Sequence, residues 1–132
     1  MSSYLGVEID DREQDGVHTL ALRGELDLAA VPSLEAEIRH LCGLESTRAI
    51  ALDLGGLSFI DSTGLAAIVF VGSLCAKHGF DFELLPGPRA VQRLFETTGL
   101  LDALPFRGDA APREPGESGR MGRGSSVNAR EP

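Results

Sequence analysis

The hydrophobic period of this chain switches repeatedly between about two and about 3.6 residues, and few architectures accommodate that pattern. Tyr4 to Asp10 alternates loosely, and Val17 to Leu22 reads V-H-T-L-A-L; both suit strands. Asp15-Gly16 between them is a hairpin signal. The period then lengthens. Val31, Leu34, Ile38 and Leu41 recur at helical spacing, with Pro32 suited to a first turn and Gly43 to an end. Ala49 to Leu54 (A-I-A-L-D-L) is nearly all apolar, as in a parallel strand or one covered on both faces, and Gly55-Gly56 is expected to break it. A helix is expected from Gly64 to Lys77-His78, stopped by Gly79. Phe80 to Leu85 reads as a strand, and Pro86-Gly87-Pro88 as a turn. Val91, Leu94 and Phe95 share one face of a third helix ended by Gly99, and Leu100 to Phe106 closes the domain as a short helix or strand.

The order β-β-α-β-α-β-α implies parallel neighbours joined by helical crossovers, with an antiparallel hairpin at the start. The expected fold is therefore a small single α/β domain over residues 1–106. Its sheet is mixed and mostly parallel, with an N-terminal antiparallel hairpin and helices packed against it. At 132 residues, 42% of them hydrophobic, the chain can bury one core. Residues 107–132 are rich in Gly, Pro, Arg, Glu and Ser, with only Met121 and Val127 as sizeable apolar residues. Such a segment cannot offset its ordering entropy, so a disordered tail is expected.

Charge narrows the function. The net charge is -8, and residues 107–132 carry five Arg against four acids, leaving -9 on residues 1–106. That argues against direct nucleic-acid binding, which needs phosphate neutralisation. The longest apolar run, Leu65 to Val71, is too short to span a bilayer, and MSSYLGVEIDD has no secretory pattern. A cytoplasmic protein without membrane attachment is expected, with Cys42 and Cys75 as reduced buried thiols.

The polar knot Asp61-Ser62-Thr63-Gly64 interrupts the apolar stretch "LSFIDSTGLAAIVF" at Leu57 to Phe70. Asp and Ser are favoured helix caps, and capping explains either one but not both. A nucleophilic Ser62 would need flanking glycines two residues away and a base. Position 60 is Ile; His18 and His40 lie in other elements, and His78 falls about 20 Å along the helix. No metal-ligand spacing and no phosphate-binding loop is present. The sequence therefore argues against an enzyme and against any metal or cofactor. The remaining reading makes Ser62 a substrate. A kinase would add nearly two negative charges at a helix start that accepts them, beside an Asp61 that does not.

"GELD" (24–27), "LDLGGLSFIDSTGL" (52–65) and "RAVQRLFETTGLLDAL" (89–104) resemble the STAS domain of bacterial anti-sigma factor antagonists, in order and spacing, over about residues 4–106. The resemblance implies capture of an anti-sigma factor that is also a serine kinase of the histidine-kinase-like ATPase fold, which frees a sigma factor. It further implies a phosphoacceptor at Ser62, phosphorylation that ends capture, and a PP2C-type phosphatase that restores it. By position Asp61 is the motif's acid, Asp27 the acid of the GELD loop near the phosphosite, and Thr63 and Gly64 complete the partner-binding turn. Asp27 also suits a purely local role, shaping the loop into the first helix. Gly64 suits a structural role, keeping the turn slim. STAS domains also serve as scaffolds in sensory assemblies and lipid-transport complexes, which is the alternative function.

Overall fold

The computed structural model describes residues 2–4 and 6–108. The expected tail lies, from residue 109 onward, outside the described residues. Five strands and three helices follow one another: β1 (Ser2–Tyr4), β2 (Val7–Gln14), β3 (Val17–Leu26), α1 (Val31–Cys42), β4 (Ala49–Ile60), α2 (Ser62–His78), β5 (Asp81–Leu85) and α3 (Arg89–Thr97). The strands form one sheet in the order β1-β2-β3-β4-β5. The first three are antiparallel, and β3, β4 and β5 are parallel. This is the expected mixed sheet with one addition. The stretch expected as one strand from Tyr4 to Asp10 is divided between β1 and β2, and β2 is second from the edge because β1 pairs outside it.

Asp15 and Gly16 both have positive φ, which gives the tight two-residue connection the Asp-Gly pair signals. The register places Ile9 beside Leu22, and Leu20, Leu52 and Leu84 in one row. These residues are almost fully buried and make one face of the sheet the core face. The other face carries small or charged side chains. Asp10, Ala21 and Asp53 stand in one row, and Glu8 stands opposite Arg23. The nearly continuous apolar run at Ala49–Leu54 thus reflects parallel pairing on both sides, with Ile50, Leu52 and Leu54 on the core face and the small, buried Ala51 on the other.

Gly55-Gly56 does not end β4, contrary to expectation. The strand continues to Ile60, and its pairing with β3 slips between Ala21 and Arg23 and again between Gly24 and Glu25. Each slip inserts an extra β4 residue, as a bulge does. Two slips turn the side chains over twice, so Leu54, Leu57 and Ile60 all remain buried although they are three apart. A Cβ on Gly56 would lie 2.9 Å from the Leu22 carbonyl oxygen, so glycine permits the close approach of β3 that keeps the strand paired.

Leu34, Ile38 and Leu41 of α1 and Leu65, Ile68, Val71 and Cys75 of α2 are buried in a common core. Each buried aliphatic side chain of this size contributes about 2 kcal/mol by leaving water. α2 begins at Ser62 rather than Gly64, and Gly79 at φ 78° ends it, with the Phe80 N–H donating back to the Cys75 carbonyl. The expected closing element is neither helix nor strand. Leu100 to Leu104 turns, and Phe106 makes a single parallel bridge to Leu84 while its ring meets Phe95 edge-on at 5.0 Å. Arg107 is tied to β5: its N–H donates to the Leu84 carbonyl, and its guanidinium grips the Glu83 carboxylate at 2.6 and 2.8 Å.

Both cysteines are free. Burial, and then the neighbouring Cys42, push the Cys75 thiol up to about 11, so it stays protonated at neutral pH. Among the described residues, no helix is long and apolar enough to cross a membrane.

Candidate functional site

The pairing of Leu26 with Ile60 brings the ends of the parallel strands β3 and β4 side by side. The next residue on each chain is an aspartate, Asp27 and Asp61. Two acids far apart in sequence thus meet at one edge of the sheet, the carboxyl ends of parallel strands, where α/β folds place their sites. The Asp61 N–H donates to the Leu26 carbonyl at 3.3 Å, which stitches the two strand ends together.

Asp61 is the N-cap of α2. Its Oδ1 accepts the Gly64 N–H at 2.9 Å and the Thr63 hydroxyl at 2.6 Å. The Thr63 hydroxyl first, and the Gly64 N–H second, hold the Asp61 carboxyl below the usual carboxylate range; the backbone N–H groups of Thr63 and Leu28 act in the same direction. Asp61 is therefore ionised at neutral pH. It also faces the loop between β3 and α1, which carries Leu28.

Ser62 is the first residue of α2 and is exposed. Among the described residues its hydroxyl has no hydrogen-bond partner. The expectation that capping explains only one of the two polar residues is met in a definite way: Asp61 caps, and Ser62 is left over. Thr63 is exposed as well, but its hydroxyl is held by Asp61.

Gly64 is buried, and a Cβ there would overlap the Leu26 carbonyl oxygen, with Leu26 Cγ only 3.0 Å away. Its structural role is clear: the absence of a side chain lets the first turn of α2 lie directly on the end of β3. Asp27 Oδ1 accepts the Ala30 N–H at 3.1 Å, and the Asp27 carbonyl accepts Ala30 and Val31, so this acid shapes the turn into α1. Its carboxylate remains partly exposed.

Leu28 is the feature that sequence reasoning missed. It is 70% exposed, the most open large apolar residue among those described. It follows Asp27 in a loop, where no hydrophobic period marks it. Val69, two turns along α2 from Ser62, is also partly open at 37%. Phe70 lies half-buried beneath Arg39 of α1, whose guanidinium carbon is 5.6 Å from the ring centre.

None of the three histidines is brought to Ser62. His18 is buried, with Nδ1 3.0 Å from both Asp11 carboxylate oxygens and Nε2 near the Thr47 hydroxyl. His40 is exposed on α1, and His78 stacks on Phe80 at the far end of α2. Among the described residues, no three metal-ligating side chains cluster.

Residues 8–111 match the STAS domain family. An anti-sigma-B factor antagonist of Staphylococcus aureus is 38% identical over 102 residues, which cover 76% of this chain and 92% of that protein. The crystal structure of an anti-sigma factor antagonist from Mycobacterium paratuberculosis superposes with a TM-score of 0.66 at 26% identity, covering 76% of this chain and 84% of that one. Unphosphorylated SpoIIAA, at 21% identity and a TM-score of 0.64 over 78% of this chain and 89% of its own, shares the fold. The Asp61 turn, the sheet that presents it and these likenesses together make the chain a member of the STAS domain family.

Proposed function

We propose that this protein is an anti-sigma factor antagonist that works by partner switching. In its unphosphorylated form it captures a serine-kinase anti-sigma factor of the histidine-kinase-like ATPase fold, and the sigma factor is released. The kinase phosphorylates Ser62, capture ends, and a PP2C-type phosphatase resets the switch. On this reading the protein acts in the bacterial cytoplasm and is itself no enzyme.

One observation carries the reading. Ser62 offers an exposed, unengaged hydroxyl at the start of α2, flanked by two side chains that are bonded to each other. A kinase can reach it without breaking an existing hydrogen bond. The relatives named as anti-sigma factor antagonists support the class of partner. Asp27, Asp61, Thr63 and Gly64 form the rest of the contact surface in this proposal, with Gly64 contributing by shape.

The test is incubation with the purified cognate kinase and ATP, followed by intact and peptide mass analysis. One phosphate on Ser62, absent from Ser62→Ala, is expected. Ser62→Ala should remain in complex with the kinase, and Ser62→Asp should bind poorly. Modification of Ser62→Ala at another residue would overturn the assignment.

A further inference from the structure

Cys42 and Cys75 lie in different helices, and the fold brings those helices to one level. β3, β4 and β5 are parallel, so α1 and α2, which connect them in turn, both run back against the strands and are parallel to each other. The Arg39 guanidinium over the Phe70 ring sets their register. Cys42 is one turn beyond Ile38 and Arg39, so it stands where the buried stripe of α1 borders the side that meets Phe70. Cys75 is one turn beyond Val71 on the buried stripe of α2, and Leu74, one turn beyond Phe70, packs against the same core. The last turns of the two helices therefore place Cys42 and Cys75 side by side. Cys75 feels this neighbour: after burial, Cys42 is what pushes its thiol up. Packed helices stand about 8–10 Å apart axis to axis, and Cα atoms facing across such a contact come within the roughly 4.4–6.8 Å that a disulfide spans.

We propose that Cys42 and Cys75 are a redox-modification site, joined by a reversible disulfide between α1 and α2 when the protein meets a low-molecular-weight disulfide. The two thiols have different roles. Cys42 is half-buried, and Arg39 offsets part of the effect of burial on its thiol; Cys75 is fully buried. Cys42 is thus the attacking group and Cys75 the resolving one. The Cys42 thiolate attacks one sulfur of the small disulfide, whose S–S bond breaks, and the first small thiol leaves with the proton Cys42 has given up. The Cys75 thiolate then attacks the Cys42 sulfur and displaces the second small thiol, which takes the Cys75 proton. Two protein thiols lose two electrons, and one small disulfide becomes two thiols. In a reducing compartment such a bond is transient and forms only under oxidant. Among the described residues the pair belongs to no metal-ligating cluster. It sits about 20 Å along α2 from Ser62, so the proposal does not rest on Ser62 being a phosphoacceptor.

The test uses the full, reduced chain in native, mildly alkaline buffer with oxidised glutathione as the probe. Remaining thiols are alkylated, and intact mass, peptide mass and thermal unfolding are read. The unaltered chain should become a monomer lighter by two hydrogens, with one peptide linking Cys42 to Cys75. Because the bond closes a loop without distorting the helices, it should raise the unfolding midpoint by about 5 °C or more, and dithiothreitol should reverse both changes. Cys75→Ser should stop at a glutathione adduct on Cys42, and Cys42→Ser should stay reduced over the same exposure. A glutathione adduct that persists on Cys42 of the unaltered chain would overturn the proposal, as would disulfide-linked dimers in place of the internal bond. A linked chain with a lowered midpoint would show that the helices must be forced together. Glutathione uptake by Cys42→Ser at the parent rate would reverse the two roles and overturn the assignment. The linked peptide and the midpoint are read on the unaltered chain, so they decide the matter even where a serine variant fails to fold.

Discussion

Thr63 Oγ1 donates to Asp61 Oδ1 at 2.6 Å, across the intervening Ser62. Two adjacent hydroxyls are exposed in this turn, but only one is spoken for. On the proposed function this bond favours Ser62 as the acceptor, because the Thr63 hydroxyl would first have to leave a short bond to a charged group. Thr63→Val is expected to leave phosphorylation on Ser62, at a similar site occupancy by peptide mass analysis. It should also lower stability by about 1 kcal/mol in urea unfolding, because a hydrogen bond to a charged group is lost. Phosphate appearing mainly on Thr63 of the unaltered chain would contradict the assignment.

The depressed Asp61 carboxyl sets a pH dependence. A carboxyl whose folded-state pKa lies below its unfolded value contributes stability that is present above the unfolded pKa and is lost as pH falls through the folded one. The cause is the Thr63 hydroxyl and then the Gly64 N–H. Asp61→Ala should therefore cost about 1 kcal/mol near pH 7, the usual worth of a cap. The gap between Asp61→Ala and the parent should close as pH drops below about 4, the ordinary aspartate range. Urea midpoints at several pH values measure this. A gap that stays constant down to pH 2.5 would show that the charged form of Asp61 adds nothing to the cap.

Much of this architecture was legible because local chemistry and the hydrophobic period agreed. Asp15-Gly16 marked the hairpin, Gly79 the end of α2, and the Val31–Leu41 spacing the buried face of α1. The Asp61-Ser62-Thr63-Gly64 knot stood out at the change of period. The rest depended on contacts between distant segments. Gly55-Gly56 reads as a break, yet β4 continues because β3 approaches closely enough to hold it through two register slips. The division of labour between Asp61 and Ser62 needs the helix to start at 62, and a cap boundary one or two residues away would reverse it. Leu28 had no signal at all, since a single leucine in a loop becomes notable only when its exposure and its neighbours are known.

Gly64 is the tightest contact of the site. Any Cβ would overlap the Leu26 carbonyl oxygen and crowd the Leu26 side chain. Backbone is hard to displace at the end of a paired strand, so Gly64→Ala should cost about 2 kcal/mol or more, in the range for overpacking a filled interior. Thermal unfolding checks the magnitude. The cap should suffer too, since α2 must move away from Leu26, and amide exchange at Asp61, whose N–H donates to Leu26, should accelerate in Gly64→Ala. An alanine variant as stable as the parent would mean that the turn has slack, and Gly64 would then need a different explanation.

Leu28 separates stability from recognition. Its side chain is 70% exposed, so Leu28→Ala removes little buried surface and should change unfolding free energy by less than about 0.5 kcal/mol. Yet Leu28 stands next to Asp27, and its N–H faces the Asp61 carboxylate, so it borders the turn that presents Ser62. A large apolar side chain at the rim of a charged turn becomes costly to lose once a partner covers it. Leu28→Ala is expected to weaken capture of the cognate kinase about tenfold, equivalent to about 1.4 kcal/mol. Saturating kinase should still modify Ser62 at the parent rate, because the hydroxyl and its surroundings are intact. Titration calorimetry gives the affinity, and phosphorylation at increasing kinase concentration gives the saturated rate. Unchanged affinity would remove Leu28 from the contact surface. A lower saturated rate would instead show that the loop positions Ser62 for transfer.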